Sequence, residues 1–75
     1  MYRALLTIEE LKKFNSEFFE LELGKITRVI TEPDGKGKFR IKLEPTTKDN
    51  AKFLRASFTD GLMAKYGWNE KFKKI

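Results

Sequence analysis

Nine side chains could do chemistry in this sequence: Lys36, Lys38, Arg40 and Lys42 at every second position, Lys52 and Arg55 three apart, and Lys65, Trp68 and Lys71 near the end. Alternate residues of an extended segment point to one face about 7 Å apart. That is close to the separation of successive phosphates on an extended nucleic-acid strand. Lys48 and Lys52 repel each other at i,i+4 spacing, and an anionic partner or the neighbouring Asp49 offsets the repulsion. Aromatics interleaved with lysines from Lys65 to Lys74 suit base stacking together with neutralisation of a phosphate backbone. The chemistry on offer is electrostatic binding rather than bond making.

What is missing agrees with that. The 75 residues contain no His and no Cys, so a Ser-His-Asp triad, a Cys-His pair, a Cys/His zinc site and a disulfide are all excluded. Glu20 with Glu22, or Asp49 with Asp60, are carboxylate pairs without an evident cleft to separate their pKa values. Asp34-Gly35-Lys36-Gly37 lacks the spacing of a phosphate-binding Gly-Lys-Ser/Thr loop and leads into a strand, not a helix. No calcium loop is present, and no GXXG loop or aromatic RNP signature marks a known RNA-binding module. The reading is a non-enzymatic protein with no cofactor and no metal.

Lys and Arg number 16 against 11 Asp and Glu, a net charge of +5. The excess is uneven: residues 1–24 hold three basic and five acidic groups, residues 25–75 thirteen and six. A basic excess gathered on particular elements is the footprint expected of a polyanion binder. It also serves plain solubility, and the aromatic and basic tail equally suits a membrane-surface segment or packing of Trp68 and Phe72 onto the core.

The elements that must position these groups follow from local signals. Thr7 and Glu10 form a capping box, and Ile8, Leu11, Phe14 and Phe18 recur at helical spacing, so a helix starts at residue 8. Phe19 to Leu23 alternates with period two and predicts a strand from about Phe18, with Gly24 at a bulge. Lys25–Thr31 and Lys38–Glu44 flank Pro33-Asp34-Gly35, which is turn chemistry, and predict a hairpin. Its core face would carry Phe39, Ile41 and Leu43, with Ile26 and Ile30. Thr46 and Asp49 predict a second capping box and a helix bearing Leu54 and Phe58, interrupted at Thr59-Asp60-Gly61 and stopped at Gly67.

The expected fold is α+β: a small single domain over residues 1–75, with an N-terminal helix, an antiparallel β-hairpin or short meander sheet, and a C-terminal helix or two short helices packed on one sheet face. The tail, 68–75, is expected to be only partly ordered. No run is apolar enough for a membrane span, the N-terminus has no signal-peptide core, and a cytoplasmic location is the default. The function that fits is nucleic-acid binding through the basic strand face and the basic and aromatic C-terminal segment. The alternative is a regulatory, adaptor or inhibitor protein, of the kind phages and mobile elements encode, docking on an acidic protein surface through Trp68, Phe72 or Phe19. Self-association through an unprotected sheet edge is a third course.

Overall fold

Segments of period-two apolar patterning pair into a four-stranded antiparallel sheet in the computed structural model, which describes residues 1–75. The strands are β1 (Tyr2–Thr7), β2 (Thr27–Pro33), β3 (Lys38–Pro45) and β4 (Lys73–Lys74), in the spatial order β2-β3-β1-β4. Between β1 and β2 lie helix α1 (Ile8–Phe18) and the single turn α2 (Glu22–Lys25); between β3 and β4 lie α3 (Asn50–Thr59), α4 (Leu62–Lys65) and a 3₁₀ turn at Trp68–Glu70. Because β3 sits between β1 and β2, and β1 between β3 and β4, the chain forms two interleaved split β-α-β units. This is the α+β domain expected from the sequence, with two short helices after the hairpin. No helix is long and apolar enough to cross a membrane.

Tyr2, Ala4 and Leu6 of β1 and Ile41 and Leu43 of β3 point to one side of the sheet, where they meet Leu11, Phe14 and Phe18 of α1 and Leu54 and Phe58 of α3. Met63, Trp68 and Phe72 close the core. Phe14 is its hub, with ring centroids 4.9 Å from Phe18, 5.3 Å from Trp68 and 5.1 Å from Phe72. Tyr2 stacks on Phe58 at 4.4 Å. Each such pair adds about 0.5–1.5 kcal/mol beyond burial of its area.

The capping box at the start of α1 is present: the Glu10 N–H donates to Thr7 Oγ1 (3.2 Å) and the Thr7 N–H donates to Glu10 Oε1 (2.9 Å). Lys71 Nζ reaches the other Glu10 oxygen at 2.9 Å, which ties the tail to the β1–α1 junction. The Thr7 backbone bond, and then Lys71, hold the Glu10 carboxyl down at about 2 from the ordinary 4.5.

Six points differ from what the sequence led us to expect. Residues 2–7 form a strand that sequence patterning did not show, because Leu5 is apolar yet faces outward, half-exposed. Residues 18–24 are not a strand: α1 runs to Phe18, and Leu21 and Leu23 pack against the core from α2. Gly24 belongs to α2 rather than to a bulge; a Cβ there would lie 2.8 Å from the Phe18 carbonyl oxygen, so only glycine allows the close approach. In β2 it is Val29, opposite Leu43, that faces the core, while Ile30 pairs with Lys42 on the other face. The second capping box does not form, since Thr46 Oγ1 donates to the Ile26 carbonyl and α3 starts only at Asn50, whose N–H donates to Thr47 Oγ1. The tail is ordered, because Trp68 and Phe72 are core residues only 5% and 3% exposed and β4 pairs with β1.

Two outcomes follow. Gly24→Ala is expected to destabilise by about 1–3 kcal/mol through backbone crowding, read as a lower denaturation midpoint; an unchanged midpoint would contradict the packing described. A carboxyl whose pKa is depressed on folding adds stability that is complete above its unfolded value and is lost as pH falls through its folded value. Stability should therefore decline between pH 4.5 and about 2 partly through Glu10. Glu10→Gln should flatten that part of the curve in acid titrations followed by circular dichroism; an unaltered slope would count against the linkage.

Candidate nucleic-acid interface

All the helices lie on one side of the sheet, so its other face is open. Strand alternation and register determine what that face displays. From β1 it receives Arg3, Leu5 and Thr7, from β3 Lys38, Arg40, Lys42 and Glu44, from β2 Arg28, Ile30 and Glu32, and from β4 Lys73. Six of these side chains are cationic and two are carboxylates. None is aromatic.

Pairing across the strands aligns Lys73 of β4, Arg3 of β1 and Lys42 of β3 in one row that continues to Ile30 of β2. Neighbouring strands lie about 4.8 Å apart, and like charges placed directly opposite destabilise a sheet. Neither Arg3 nor Lys73 has a carboxylate within 4.0 Å; Lys42 alone of the three has one, Glu44 Oε1 at 3.4 Å. The next row is balanced differently. Arg40 Nη2 donates to Asp34 Oδ1 at 2.9 Å and Arg40 Nη1 lies 3.9 Å from Glu32 Oε2, which raises the guanidinium pKa, first through the Asp34 hydrogen bond. Asp34 thus ties Arg40 to the turn.

Two shallow depressions, of about 360 and 350 Å³, share Arg3 and Arg40 as their common wall. The first adds Met1, Ile30, Lys42 and Ile75. The second adds Leu5, Asp34, Lys71 and Lys73. It lies where β1 loses its neighbour: β4 pairs only with Tyr2 and Arg3, and the edge of β1 beyond them is uncovered.

Of the residues singled out in the sequence, Arg40 and Lys42 lie in these depressions, Lys38 lies further along the same face, and Lys36 is exposed in the turn above it. Lys71 joins them at the rim of the second depression but is engaged with Glu10. The others are not brought together. Lys52 and Arg55 line a separate depression of about 300 Å³ on the solvent side of α3, whose buried side carries Leu54 and Phe58, so they face away from the open sheet. Lys65 ends α4 in the same helical layer. Trp68 does not serve as a stacking platform: its ring is in the core and its Nε1 donates to Glu17 Oε1 at 2.8 Å. Phe72 is equally unavailable as a docking anchor, whereas Phe19 is exposed.

Arg3 and Arg28 are the cations that sequence reasoning missed, and Lys73 was read only as part of the basic tail, not as a strand residue beside Arg3. The signal for Arg3 was the alternation of Tyr2, Ala4 and Leu6, blurred by Leu5. No local signal places Lys73 beside Arg3, because that placement depends on Trp68 and Phe72 anchoring the tail.

Comparison with protein-family models, with curated proteins and with solved structures found no match for this chain. Burial of Trp68 supplies a direct check on the assignment of roles. Its fluorescence should be blue-shifted, weakly quenched by iodide and unchanged in wavelength when a saturating oligonucleotide is added. A shift toward the exposed-indole spectrum, or strong quenching by the oligonucleotide, would return Trp68 to the binding surface.

Proposed function

We propose that this is a small non-enzymatic protein that binds nucleic acid on the open face of its sheet through the phosphate backbone. The observation that carries the reading is the row Lys73–Arg3–Lys42. Three adjacent cations with a single carboxylate between them lower the stability of a sheet that is free to choose its outward residues, and a polyanion removes that penalty. Phosphate contact of this kind orients a nucleic acid without reading its sequence. The depressions support binding over catalysis: each is lined by one carboxylate, Glu32 in the first and Asp34 in the second, and both are engaged with Arg40. The one carboxyl with a lowered pKa, Glu10, serves a helix cap. A chain without cysteine suits the reducing cytoplasm.

The alternative, an adaptor or inhibitor docking on an acidic protein surface, draws support from Met1, Leu5 and Ile75, which are about half exposed between the cations. Salt dependence tests the leading reading. Release of counterions from about four phosphates should weaken binding of a mixed-sequence oligonucleotide roughly 50-fold between about 50 and about 200 mM salt. Arg3→Ala should weaken binding and lower the slope by close to one phosphate, and Lys52→Ala should leave both unchanged. Affinity indifferent to salt, or lost equally with Lys52→Ala, would defeat the assignment to this face.

A further inference from the structure

The open face carries more than charge. Apolar side chains share the lining of both depressions, Met1, Ile30 and Ile75 in the first and Ala4 and Leu5 in the second. A duplex approaching this face would set its phosphates on Arg3, Lys42 and Lys73 and leave those apolar surfaces against sugar edges and water, because its base faces are stacked inside. A single strand has unstacked base faces to offer. Aliphatic side chains and guanidinium planes are suitable partners for them in a sheet that lacks outward aromatics.

The arrangement of the depressions is consistent with such a strand. They lie on either side of Arg3 and Arg40, which are diagonal neighbours across β1 and β3, about 7–8 Å apart at the backbone. The shortness of β4 leaves the outer edge of the second depression open, so a chain crossing the face has an exit.

Resting on the nucleic-acid reading above, we infer that the ligand is single-stranded, with one base in each depression and the phosphate that joins them over Arg3 and Arg40. To take that phosphate, Arg40 exchanges its hydrogen bond from Asp34 to a phosphate oxygen. Asp34 thus occupies the phosphate position in the free protein. Cations supply the affinity, and the apolar part of each lining supplies the preference for unpaired bases. Phosphate and apolar contacts of this kind carry no sequence information, so the preference is for strandedness and not for sequence.

The experiment compares four labelled probes by fluorescence anisotropy on the intact chain: a mixed-sequence single strand of about eight nucleotides, a hairpin whose stem has the same length, an abasic oligonucleotide with the same number of phosphates, and poly-glutamate of equal charge. The single strand should bind at least tenfold tighter than each of the other three. Asp34→Asn should tighten single-strand binding several-fold, while Asp49→Asn, which removes the same charge far from the site, should change it less than twofold. Ile30→Ser and Leu5→Ser should weaken binding of the single strand and leave that of the abasic probe unchanged.

Equal or tighter binding of the hairpin or the abasic probe would overturn the inference while nucleic-acid binding itself stands. Equal binding of poly-glutamate would overturn it in favour of an acidic protein partner. Failure of every nucleic acid to bind at low salt would remove the underlying reading as well.

Discussion

The structure depends on burying one face of a small sheet beneath a cluster of aromatic rings centred on Phe14. A chain of 75 residues has too little volume to cover both faces of a four-stranded sheet, and it concentrates its apolar bulk on one. Phe14 joins α1 to the tail through Trp68 and Phe72, and Phe72 reaches Phe58 of α3, which stacks on Tyr2 of β1. Helices α1 and α3, strand β1 and the tail are therefore held by one contiguous set of rings. Without it β4 has no anchor, Lys73 has no place beside Arg3, and the edge of β1 is bare along its length.

The same constraint shapes what the other face can do. Since the strand positions that face inward take the aromatic and aliphatic residues, the outward positions are left with cations, two carboxylates and a few exposed aliphatics. They can attract a polyanion and contact unstacked bases loosely, but they have no rings for strong stacking. The like-charged row costs the domain stability, a cost that the proposed anionic partner would offset. Arg40, already paired with Asp34, shows the complementary case, a cation whose field is partly cancelled by a carboxylate.

The parts of the fold that were legible in the sequence are those set by short-range chemistry. Thr7 and Glu10 announce the start of α1 because both capping bonds span three residues. Phe39, Ile41 and Leu43 announce β3, and Pro33-Asp34-Gly35 the turn before it, because alternation and turn propensity are local. The illegible parts depend on contacts distant in sequence. Ile30 and Val29 have similar side chains in adjacent positions, and only pairing with Leu43 and Lys42 decides which one faces inward. Phe19 to Leu23 has strand periodicity, yet the depth at which Phe18 is buried and the contact of Gly24 with its carbonyl turn the chain instead. Trp68 reads as an exposed aromatic among lysines until Glu17, 51 positions earlier, receives its N–H. Of the candidate site, Arg40 and Lys42 were visible as one strand face, while Arg3 and Lys73 became part of it only once β1 and β4 were placed beside that strand.

The central claim is that the open face of the sheet, and not the helical layer, is the binding surface. Titration of the ¹⁵N-labelled protein with a short single-stranded oligonucleotide, followed by backbone amide chemical shifts, tests this most directly. The account predicts perturbations confined to the strands and the β2–β3 turn, largest around Arg3, Leu5, Ile30, Asp34, Arg40, Lys42 and Lys73, with α3 unaffected. Shifts centred on Lys52 and Arg55, or the absence of any shift at low salt, would contradict it.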